Sequence, residues 1–490
     1  ESKLDAAASF AGAVINELLG PEALELGGAP ALDVGVLAYG GGAGLDAPLP
    51  GATAEGPLVP LSFLAAPAAG ARVSLAPGGT ARPAAALAAA CRALQRWLIR
   101  NPTGVPPLVI HLTDGEGCDA ALARASRSLS ALASAAGNVL LMHCVLSGSP
   151  GASVKLPTAA TEVPDGPWRP LWQLSSPMRR IGARRQGTRA FCINSNHAPA
   201  IARFLLRNPS PPRGGNEAAA ALGDRPWQIA SRPLWLPKGG NTEDEWEDAF
   251  AVDAAAGLAA VSDGAGSGIF SGEWARLLTR SLVEARPSLA DPDAFGRWLG
   301  ACRERLCAEI NVPSLRFTQQ KRFREAGAGA TLLALRLGGA GRGAPANQFT
   351  WSAWAVGDSC LFWVRENRLW ATFPAVESSD FRISTNLLRT LTGHPVVPPL
   401  ASGGMGRLGD FFLLATDATA QILMRHCEEG REPDWEQFWQ RDEAAWRDEV
   451  LELRRRDEIV DDDCTLLAVR LVPSEAGAGA SGQPSEGPPS

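Results

Sequence analysis

The chain has 490 residues, 46% of them hydrophobic and 20% charged, and a formal net charge of −6. These values are typical of a soluble globular protein with two or three domains and disfavour a nucleic-acid-binding protein, which is usually basic. No apolar run reaches the roughly 18 residues of a transmembrane helix, so we expect no membrane partner and a cytoplasmic location. The nine cysteines form no Cys-x-x-Cys pair and are expected to be reduced, and the five histidines show no zinc-ligand spacing.

Two segments of biased composition divide the chain. Residues 207–226 are rich in proline and glycine and have no apolar period, which predicts a linker. Residues 473–490 contain no aromatic or branched aliphatic residue and are expected to be a disordered tail. The sequence therefore predicts two folded domains, an N-terminal block (1–206) and a C-terminal block (227–472).

The N-terminal block alternates helix and strand patterns. Apolar residues at helical spacing predict helices at 3–19, 81–98 and 119–136. Short apolar runs predict strands at 31–39, 106–115 and 138–147. Such alternation predicts an α/β domain in which a doubly wound parallel sheet has helices on both faces.

In the C-terminal block the apolar runs come in pairs. A hairpin is predicted at 248–264, three or four strands at 329–371, and single strands at 410–417 and 463–472. Helices are predicted at 273–285 and 293–310. Strand pairs mixed with helices predict an α+β domain, an antiparallel β-sandwich flanked by helices.

Acidic residues recur at the ends of the apolar strands of the C-terminal block. A single strand-end acid is usually part of a turn, but here acids occur at five places without a matching arginine or lysine in the strands. Buried carboxylates are costly unless they are paired or bind a metal, and hard divalent cations such as Mg²⁺ or Mn²⁺ prefer oxygen ligands. The pattern therefore predicts a metal site. The five places are Glu247-Asp248, Asp263, Asp358, Asp417 and Asp461-Asp462-Asp463.

Six motifs of the C-terminal block resemble, in order, those of the metal-dependent serine/threonine phosphatases, the protein phosphatase 2C family. They read EDAFAV, VSDGAGSG, GATLLAL, WAVGDSCLFWV, FFLLATD and DDCTLLAV. The D-G-A-G-S stretch is similar to a bacterial branch of the family, whereas eukaryotic members read D-G-H-G-G. The resemblance implies two Mn²⁺ or Mg²⁺ ions, a phosphoprotein substrate, and hydrolysis of phosphoserine or phosphothreonine by a metal-activated water without a covalent enzyme intermediate.

The resemblance also implies roles for the acids of the first two motifs. Asp263 matches the acid that bridges both metal ions, and the carbonyl of Gly264 matches a ligand of the second ion. Glu247 and Asp248 match the pair that holds the second ion and its waters. Asp263 and Asp248 are therefore expected to be the catalytic residues.

Three further acids have counterparts in the later motifs. Asp417 and Asp462 match the acids that complete the first metal site. Asp358 matches an acid near a third, weaker metal position in some members. With the four residues above, they make up the metal site that the resemblance implies.

Two departures from the family bear on catalytic rate. The family usually has a phosphate-binding arginine a few residues before its Glu-Asp pair, and here Thr242 lies near that place. Lys238 and Arg232 are the candidate substitutes, although a lysine binds phosphate as a point charge and with less specificity. The histidine of D-G-H-G-G, often assigned as general acid, is Ala265, so protonation of the leaving group would fall to water or another acid.

The N-terminal block resembles the von Willebrand factor type A fold. In that fold a D-x-S-x-S loop, a Thr and an Asp hold a divalent ion, and Thr80 and Asp114 match the last two. The stretch LWQLSSPM at 171–178 is also similar to bacterial intracellular members. The sequence contains no D-x-S-x-S loop and opens on what resembles the next helix, so we expect the loop and its strand upstream of Glu1. Without the loop, Thr80 and Asp114 are too few ligands for a divalent ion.

Taken together, the motifs predict a phosphoprotein phosphatase with an N-terminal protein-docking module. By resemblance, its partner is a kinase or a kinase substrate, including those of bacterial stress-response loci, and the oligomeric state is left open. The alternative is a binding or switch protein that keeps the phosphatase fold with little turnover, which the two departures favour. A nucleotide hydrolase is disfavoured because the sequence has no P-loop.

Overall fold

The computed structural model describes most of the C-terminal block and shorter parts of the N-terminal block. The predicted linker at 207–226, Thr80, and residues 474–490 of the predicted tail lie outside the described residues. Within the described part, no helix combines the length and the apolar character that crossing a membrane requires. The described residues are 3–19, 33–39, 45–60, 75, 82–115, 117–147, 153–178, 187–194, 227–265, 268–339, 345, 347–382, 386–393 and 396–473.

These residues form strands, α-helices and short 3-10 helices. The strands are β1 (Asp33–Gly35), β2 (Leu58–Pro60), β3 (Leu108–Thr113), β4 (Leu132–Ser134), β5 (Gly137–Asn138), β6 (Leu140–Val145), β7 (Val154–Lys155), β8 (Phe191–Ile193), β9 (Trp227–Leu236), β10 (Ala249–Asp253), β11 (Leu258–Ser262), β12 (Gly329–Ala330), β13 (Leu332–Gly339), β14 (Gln348–Val356), β15 (Cys360–Arg365), β16 (Arg368–Phe373), β17 (Leu388–Arg389), β18 (Leu400–Arg407), β19 (Phe411–Ala415) and β20 (Cys464–Pro473). The α-helices are α1 (Lys3–Leu19), α2 (Pro83–Arg100), α3 (Ala120–Ala131), α4 (Arg169–Leu174), α5 (Ser271–Ala285), α6 (Pro292–Ile310), α7 (Phe317–Glu325), α8 (Asp417–Glu428), α9 (Gln437–Gln440) and α10 (Glu443–Arg455). The 3-10 helices are Ala160–Glu162, Glu243–Glu245, Val312–Ser314 and Ser378–Arg382.

Two antiparallel sheets form the C-terminal block. One has the order β10-β11-β13-β14-β18-β4-β5 and the other the order β16-β15-β19-β20-β9. The predicted hairpin at 248–264 is the β10–β11 pair, in which Ala249 lies opposite Ser262. A further two-stranded sheet pairs β12 with β17.

Side chains alternate along the strands between the space inside the sandwich and the helices outside it. On β19, Phe412 and Leu414 point to the core between the sheets, whereas Phe411 and Leu413 pack under α8 and α10. On β11, Ala260 faces α5 and α6. This period of two is the reason that each sheet carries one apolar face inward and a second outward, giving helix, sheet, sheet and helix layers.

The N-terminal block contains a mixed sheet of order β3-β6-β8-β7. The strands β3, β6 and β8 are parallel, and β7 runs antiparallel at the edge. Buried residues of α2 and α3 cover one face, and Phe10 of α1 packs against the other. The predicted strand at 31–39 is not in this sheet. Only β1 forms there, and it pairs with β2 in a separate sheet.

The predicted helix at 119–136 is also too long. α3 ends at Ala131, and the next residues leave as β4, in which Ala133 pairs with Ala401 of β18. The side-chain amide of Asn138 donates to the carbonyl of Ala131 at 2.9 Å and to that of Gly403 at 3.2 Å. Pairing with a strand of the other block therefore overrides a local helix preference, and the two blocks share one sheet.

Two buried histidines lie side by side in the mixed sheet. His111 of β3 is in register with His143 of β6, and their rings meet edge to face at 5.1 Å. Among the described residues, Nδ1 of His111 and Nε2 of His143 have no hydrogen-bond partner. Burial lowers the pKa of His111 to about 4, and burial with the neighbouring His111 lowers the pKa of His143 well below its usual value. Both imidazoles are therefore neutral in the folded protein.

We expect this pair to make the protein sensitive to mild acid. In the unfolded chain each histidine takes up a proton near pH 6.5, so the stability is fully present above that pH and is lost as the pH falls towards 4. His111 alone should lower the free energy of unfolding by roughly 2 kcal/mol between pH 7 and pH 5. Urea unfolding at the two pH values measures the change, and His111→Gln should reduce the difference. An unchanged difference in that variant would contradict the expectation.

Candidate active site

Five acids of the C-terminal block lie at one end of its sandwich. Asp248 precedes β10 and Asp263 follows β11, so the hairpin brings the two together. Asp358 lies in the turn between β14 and β15, Asp417 is the first residue of α8 after β19, and Asp462 precedes β20. β10 pairs with β11 in one sheet, and β19 pairs with both β15 and β20 in the other, so within each sheet the strand ends that carry the acids lie side by side. We call these five residues the acidic cluster.

Asp248 is the most deeply buried member of the acidic cluster, with 1% of its surface exposed. Its Oδ2 accepts a hydrogen bond from the hydroxyl of Thr416 at 2.9 Å. Its Oδ1 has no partner at hydrogen-bonding distance among the described residues. Burial raises the pKa of Asp248 well above its usual value, the nearby hydroxyl of Thr465 lowers this pKa, and the charges of Asp463 and Asp417 add to the rise. An unpartnered buried carboxylate oxygen requires a proton or a cation.

Two other members of the acidic cluster also have raised pKa values, because they are buried and lie near other carboxylates. Burial raises the pKa of Asp263 well above its usual value, with contributions from Asp248, Asp417, Asp358 and Asp462. Burial, Asp358 and Asp462 raise the pKa of Asp417 to about 7. The carboxylates are therefore close enough to repel one another. The sequence alone predicted only that they recur at strand ends.

Backbone contacts fix Asp263 where it lies. Its N–H donates to the hydroxyl of Thr331 at 2.9 Å, and its carbonyl accepts from the N–H of Thr331 at 2.9 Å. The same hydroxyl lies 2.7 Å from that of Ser359, next to Asp358. Thr331 belongs to the GATLLAL motif, for which the sequence had suggested no role. Through these hydrogen bonds Thr331 holds the backbone of Asp263 in place after β11.

Gly264 permits a close approach of three chain segments. Its N–H donates to the carbonyl of Glu247 at 3.2 Å. A Cβ at this position would lie 2.5 Å from that carbonyl oxygen and 2.7 Å from the carbonyl carbon of Ser271. Because both atoms belong to the backbone, no side-chain rotation relieves the contact. Only glycine allows the Asp263 loop to lie against the Glu247-Asp248 pair.

The three consecutive acids before β20 have different surroundings. The buried Asp463 accepts hydrogen bonds from the N–H groups of Lys238 and Glu247, both at 2.7 Å. Asp461 accepts from the N–H of Gly239 at 2.8 Å and pairs with an arginine of α10. Asp462 is left facing the acidic cluster, with the ammonium of Lys238 3.6 Å from its Oδ1. Asp463 is thus a structural acid, whereas Asp462 accepts, among the hydrogen bonds of the described residues, only the N–H of Asp463 at 3.0 Å, and its role as a ligand stays a prediction.

Two cations lie at the rim of the acidic cluster. Burial and neighbouring acids raise the pKa of the exposed Glu247, and Arg276 of α5 partly opposes this rise, as Lys238 does for the pKa of Asp417. Arg276 also donates to the carbonyl of Trp246 at 2.9 Å. Arg232 is not brought there, because its guanidinium binds the main-chain carbonyls of Trp439 and Arg441. Sequence reasoning overlooked Arg276, whose only signal is that it lies one turn into the helix after the glycine-rich loop.

In the N-terminal block, Asp114 follows β3, and the matching Thr80 lies outside the described residues. Burial raises the pKa of Tyr39 to about 12, and the charge of Asp114 adds to the effect. The separate metal site that the sequence suggested in the N-terminal block, at Thr80 and Asp114, thus stays a prediction.

The acidic cluster fits hard divalent cations in its chemistry. Within the described residues, no three His, Cys, Asp or Glu side chains converge closely enough to hold an ion by themselves. Mg²⁺ and Mn²⁺ prefer oxygen ligands and keep several waters, and the acidic cluster supplies donor atoms of this kind. The unpartnered Oδ1 of Asp248 is the atom that most needs such an ion.

No protein-family model and no curated protein matches the chain. Solved structures that it is similar to include the serine/threonine phosphatase PstP/Ppp of Mycobacterium tuberculosis, at 19% identity and a TM-score of 0.33 over 50% of this chain and 98% of that one. PppA of Pseudomonas aeruginosa has 22% identity and a TM-score of 0.33 over 50% and 98%. The PP2C phosphatase domain of SpoIIE from Bacillus subtilis has 16% identity and a TM-score of 0.32 over 50% and 63%. Likeness of this degree does not establish a family or an activity for this chain.

Proposed function

We propose that the chain is a metal-dependent phosphatase that hydrolyses phosphoserine or phosphothreonine in a protein substrate. The observation that supports this most is the acidic cluster itself: like charges are gathered at one end of the sandwich, and the buried Oδ1 of Asp248 has no described partner. A fold gains no stability from such an arrangement, since each carboxylate raises the pKa of its neighbours. The arrangement is useful if it holds cations.

Two Mn²⁺ or Mg²⁺ ions would supply Lewis-acid activation of a water and neutralise charge on the phosphoryl group. Asp263 is proposed to contact both ions, since, in addition to burial, each of the other four members of the acidic cluster raises its pKa. Asp417 and Asp462 would complete one position. Glu247, Asp248 and the carbonyl of Gly264 would complete the other, and Asp358 would flank a third in the same region.

The chain's own cations would orient the phosphate. Lys238 lies 3.6 Å from Asp462, Arg276 is near enough to Glu247 to affect its pKa, and both cations are exposed to solvent. An incoming phosphoryl group would meet the two cations before it reaches the carboxylates. Since Ala265 offers no proton, solvent is proposed to protonate the leaving hydroxyl.

The proposal is tested by hydrolysis of a phosphothreonine peptide with and without Mn²⁺. We expect turnover that requires the metal and is abolished by a chelator. Asp462→Asn should reduce kcat/KM by about 100-fold or more, since even loss of an outer-shell partner of a metal typically costs 10–100-fold. The adjacent Asp461→Asn is the matched control and should stay within a few-fold of the parent.

Other outcomes have definite meanings. Metal-independent turnover, or turnover unchanged by Asp462→Asn, would overturn the assignment of the site. Binding of Mn²⁺ without turnover would indicate a binding or switch protein that has kept the fold.

We also propose that the N-terminal block serves as the docking module for a phosphoprotein partner.

A further inference from the structure

The N-terminal block contacts a specific turn of the C-terminal block through α2. Nη1 of Arg92 donates to the carboxylates of Glu377 and Asp380 at 2.9 and 3.2 Å. One turn further along α2, the amide of Gln95 donates to the carbonyl of Pro374 at 2.6 Å. Only 25% of the Arg92 side chain and 12% of the Asp380 side chain are exposed, so solvent screens these contacts incompletely.

The turn that receives Arg92 is held rigidly. Oδ2 of Asp380 accepts hydrogen bonds from the N–H groups of Val376 and Glu377, at 2.9 and 3.0 Å. Its other oxygen is the one that binds Arg92. The same carboxylate therefore shapes the turn and joins it to the N-terminal block. We call residues 376–382 the relay turn.

The relay turn is joined in turn to α8. The N–H and the hydroxyl of Ser378 donate to the two carboxylate oxygens of Glu428, at 2.6 and 2.5 Å. The amide of Gln421, on the same helix, reaches the carbonyl of Ser378 at 3.5 Å. Glu428 is the last residue of α8 and Asp417 is its first. The relay turn thus holds the end of the helix opposite to the acidic cluster.

Direct packing between the blocks is incomplete at this place. A cleft of about 170 Å³ separates α2 and α3 from the last turns of α8. Its walls include Ala88, Ser128, Met424 and Cys427. Because side chains do not fill the gap, the polar contacts of the relay turn are the connection between α2 and α8 that the structure describes here.

We propose that the N-terminal block controls the metal affinity of the acidic cluster through Arg92, the relay turn and α8. Arg92 and Glu428 are proposed to be positioning residues: they touch no substrate, and they brace the last turn of a helix whose buried face packs on β19 and β20 and whose first residue is Asp417. A helix of twelve residues is a rod of about 18 Å, so a tilt at one end displaces the other. Any partner that draws α2 away would thereby weaken the hold on the metal. This inference rests on the proposed function of the acidic cluster.

The test is direct titration of the full chain with Mn²⁺ by calorimetry, together with the Mn²⁺ dependence of turnover. Arg92→Ala should raise the apparent Kd for Mn²⁺ about tenfold, a typical size for coupling between two sites. At saturating Mn²⁺ its kcat should stay near that of the parent, a split that simple loss of folded protein would not produce. Arg92→Lys should restore part of the affinity.

Two further variants separate the path from general loosening of the interface. Arg127→Ala is the matched control, because Arg127 is an arginine of α3 that docks on the carbonyl and ring of Trp370 and not on the relay turn. It should leave the Kd for Mn²⁺ unchanged even if it lowers the Tm. Glu428→Ala should resemble Arg92→Ala, and the double variant should be no worse than either single one.

The outcomes distinguish this inference from the function on which it rests. If Asp417→Asn loses Mn²⁺ binding while Arg92→Ala binds as the parent does, the coupling is overturned and the metal site stands. Equal weakening by Arg127→Ala and Arg92→Ala also overturns the proposed path. If the parent chain binds no Mn²⁺, the metal site and the coupling both fail.

Discussion

Asp263→Asn is expected to make the metal-free protein more stable while it abolishes metal-dependent hydrolysis. The substitution removes one charge from the acidic cluster, and with it a carboxylate whose pKa is raised by burial and by Asp248, Asp417, Asp358 and Asp462. We expect the free energy of unfolding near pH 7.5 to rise, because the folded protein no longer bears the cost of ionising a buried carboxylate beside other acids. Urea unfolding in the presence of a chelator and a Mn²⁺-dependent peptide assay measure the two effects.

The sign of the pH dependence follows from the direction of the shift. The pKa of Asp263 is raised in the folded state, so the folded protein holds a proton that the unfolded chain releases near pH 4. The penalty of ionising Asp263 is absent below that pH and grows as the pH rises. The advantage of Asp263→Asn should therefore be small at pH 4 and larger at pH 7.5.

Asp410→Asn provides the matched control for a buried strand-end acid. Asp410 is 3% exposed, and its carboxylate accepts two hydrogen bonds from the guanidinium of Arg365, at 2.7 and 2.6 Å, and one from the indole of Trp363. Removing one partner of such a pair costs about 3–5 kcal/mol, with or without metal. If Asp263→Asn also destabilised the metal-free protein, Asp263 would be a structural acid and the proposed site would be wrong.

The β10–β11 hairpin and several later strands of the C-terminal block could be predicted because they depend on local pattern, whereas β9 and β18 were not predicted. Apolar runs with period two identified the β10–β11 hairpin and the strands after it, and the carboxylates fall where these runs end. Where elements depend on distant partners, the prediction was wrong. The run at 31–39 gave only β1, in a separate sheet, and the helix at 119–136 stops at Ala131 because β18 offers an edge to the residues that follow.

Within the site, the sequence could not distinguish neighbouring acids. Asp461, Asp462 and Asp463 are consecutive, and only the folded chain shows that Asp463 is used by two backbone N–H groups. The sequence also could not show which basic side chain lies beside the acids. Arg232 is close to Glu247 in sequence but is bound elsewhere, whereas Arg276 comes near Glu247 only because α5 packs against β10 and β11.

Gly264→Ala is expected to abolish activity and to destabilise the C-terminal block, because the site needs three backbone segments in close contact. The new methyl group would lie 2.5 Å from the carbonyl oxygen of Glu247 and 2.8 Å from that of Ser271, well inside contact distance. The strand ends must separate, which breaks the hydrogen bond from Gly264 to Glu247 and moves Asp263 away from Asp248. Overpacking of this kind costs about 1–3 kcal/mol, which denaturant unfolding measures.

Gly296→Ala separates this effect from the general effect of adding a methyl group. Gly296 lies inside α6, and a Cβ there meets nothing within 4 Å. Alanine should stabilise the helix by about 0.5–1 kcal/mol and leave hydrolysis unchanged. An active Gly264→Ala protein would mean that the loop after β11 can move away from Glu247 without loss of function. The close approach of Gly264 to Glu247 would then not be needed for function, and neither would the placement of Asp263 beside Asp248.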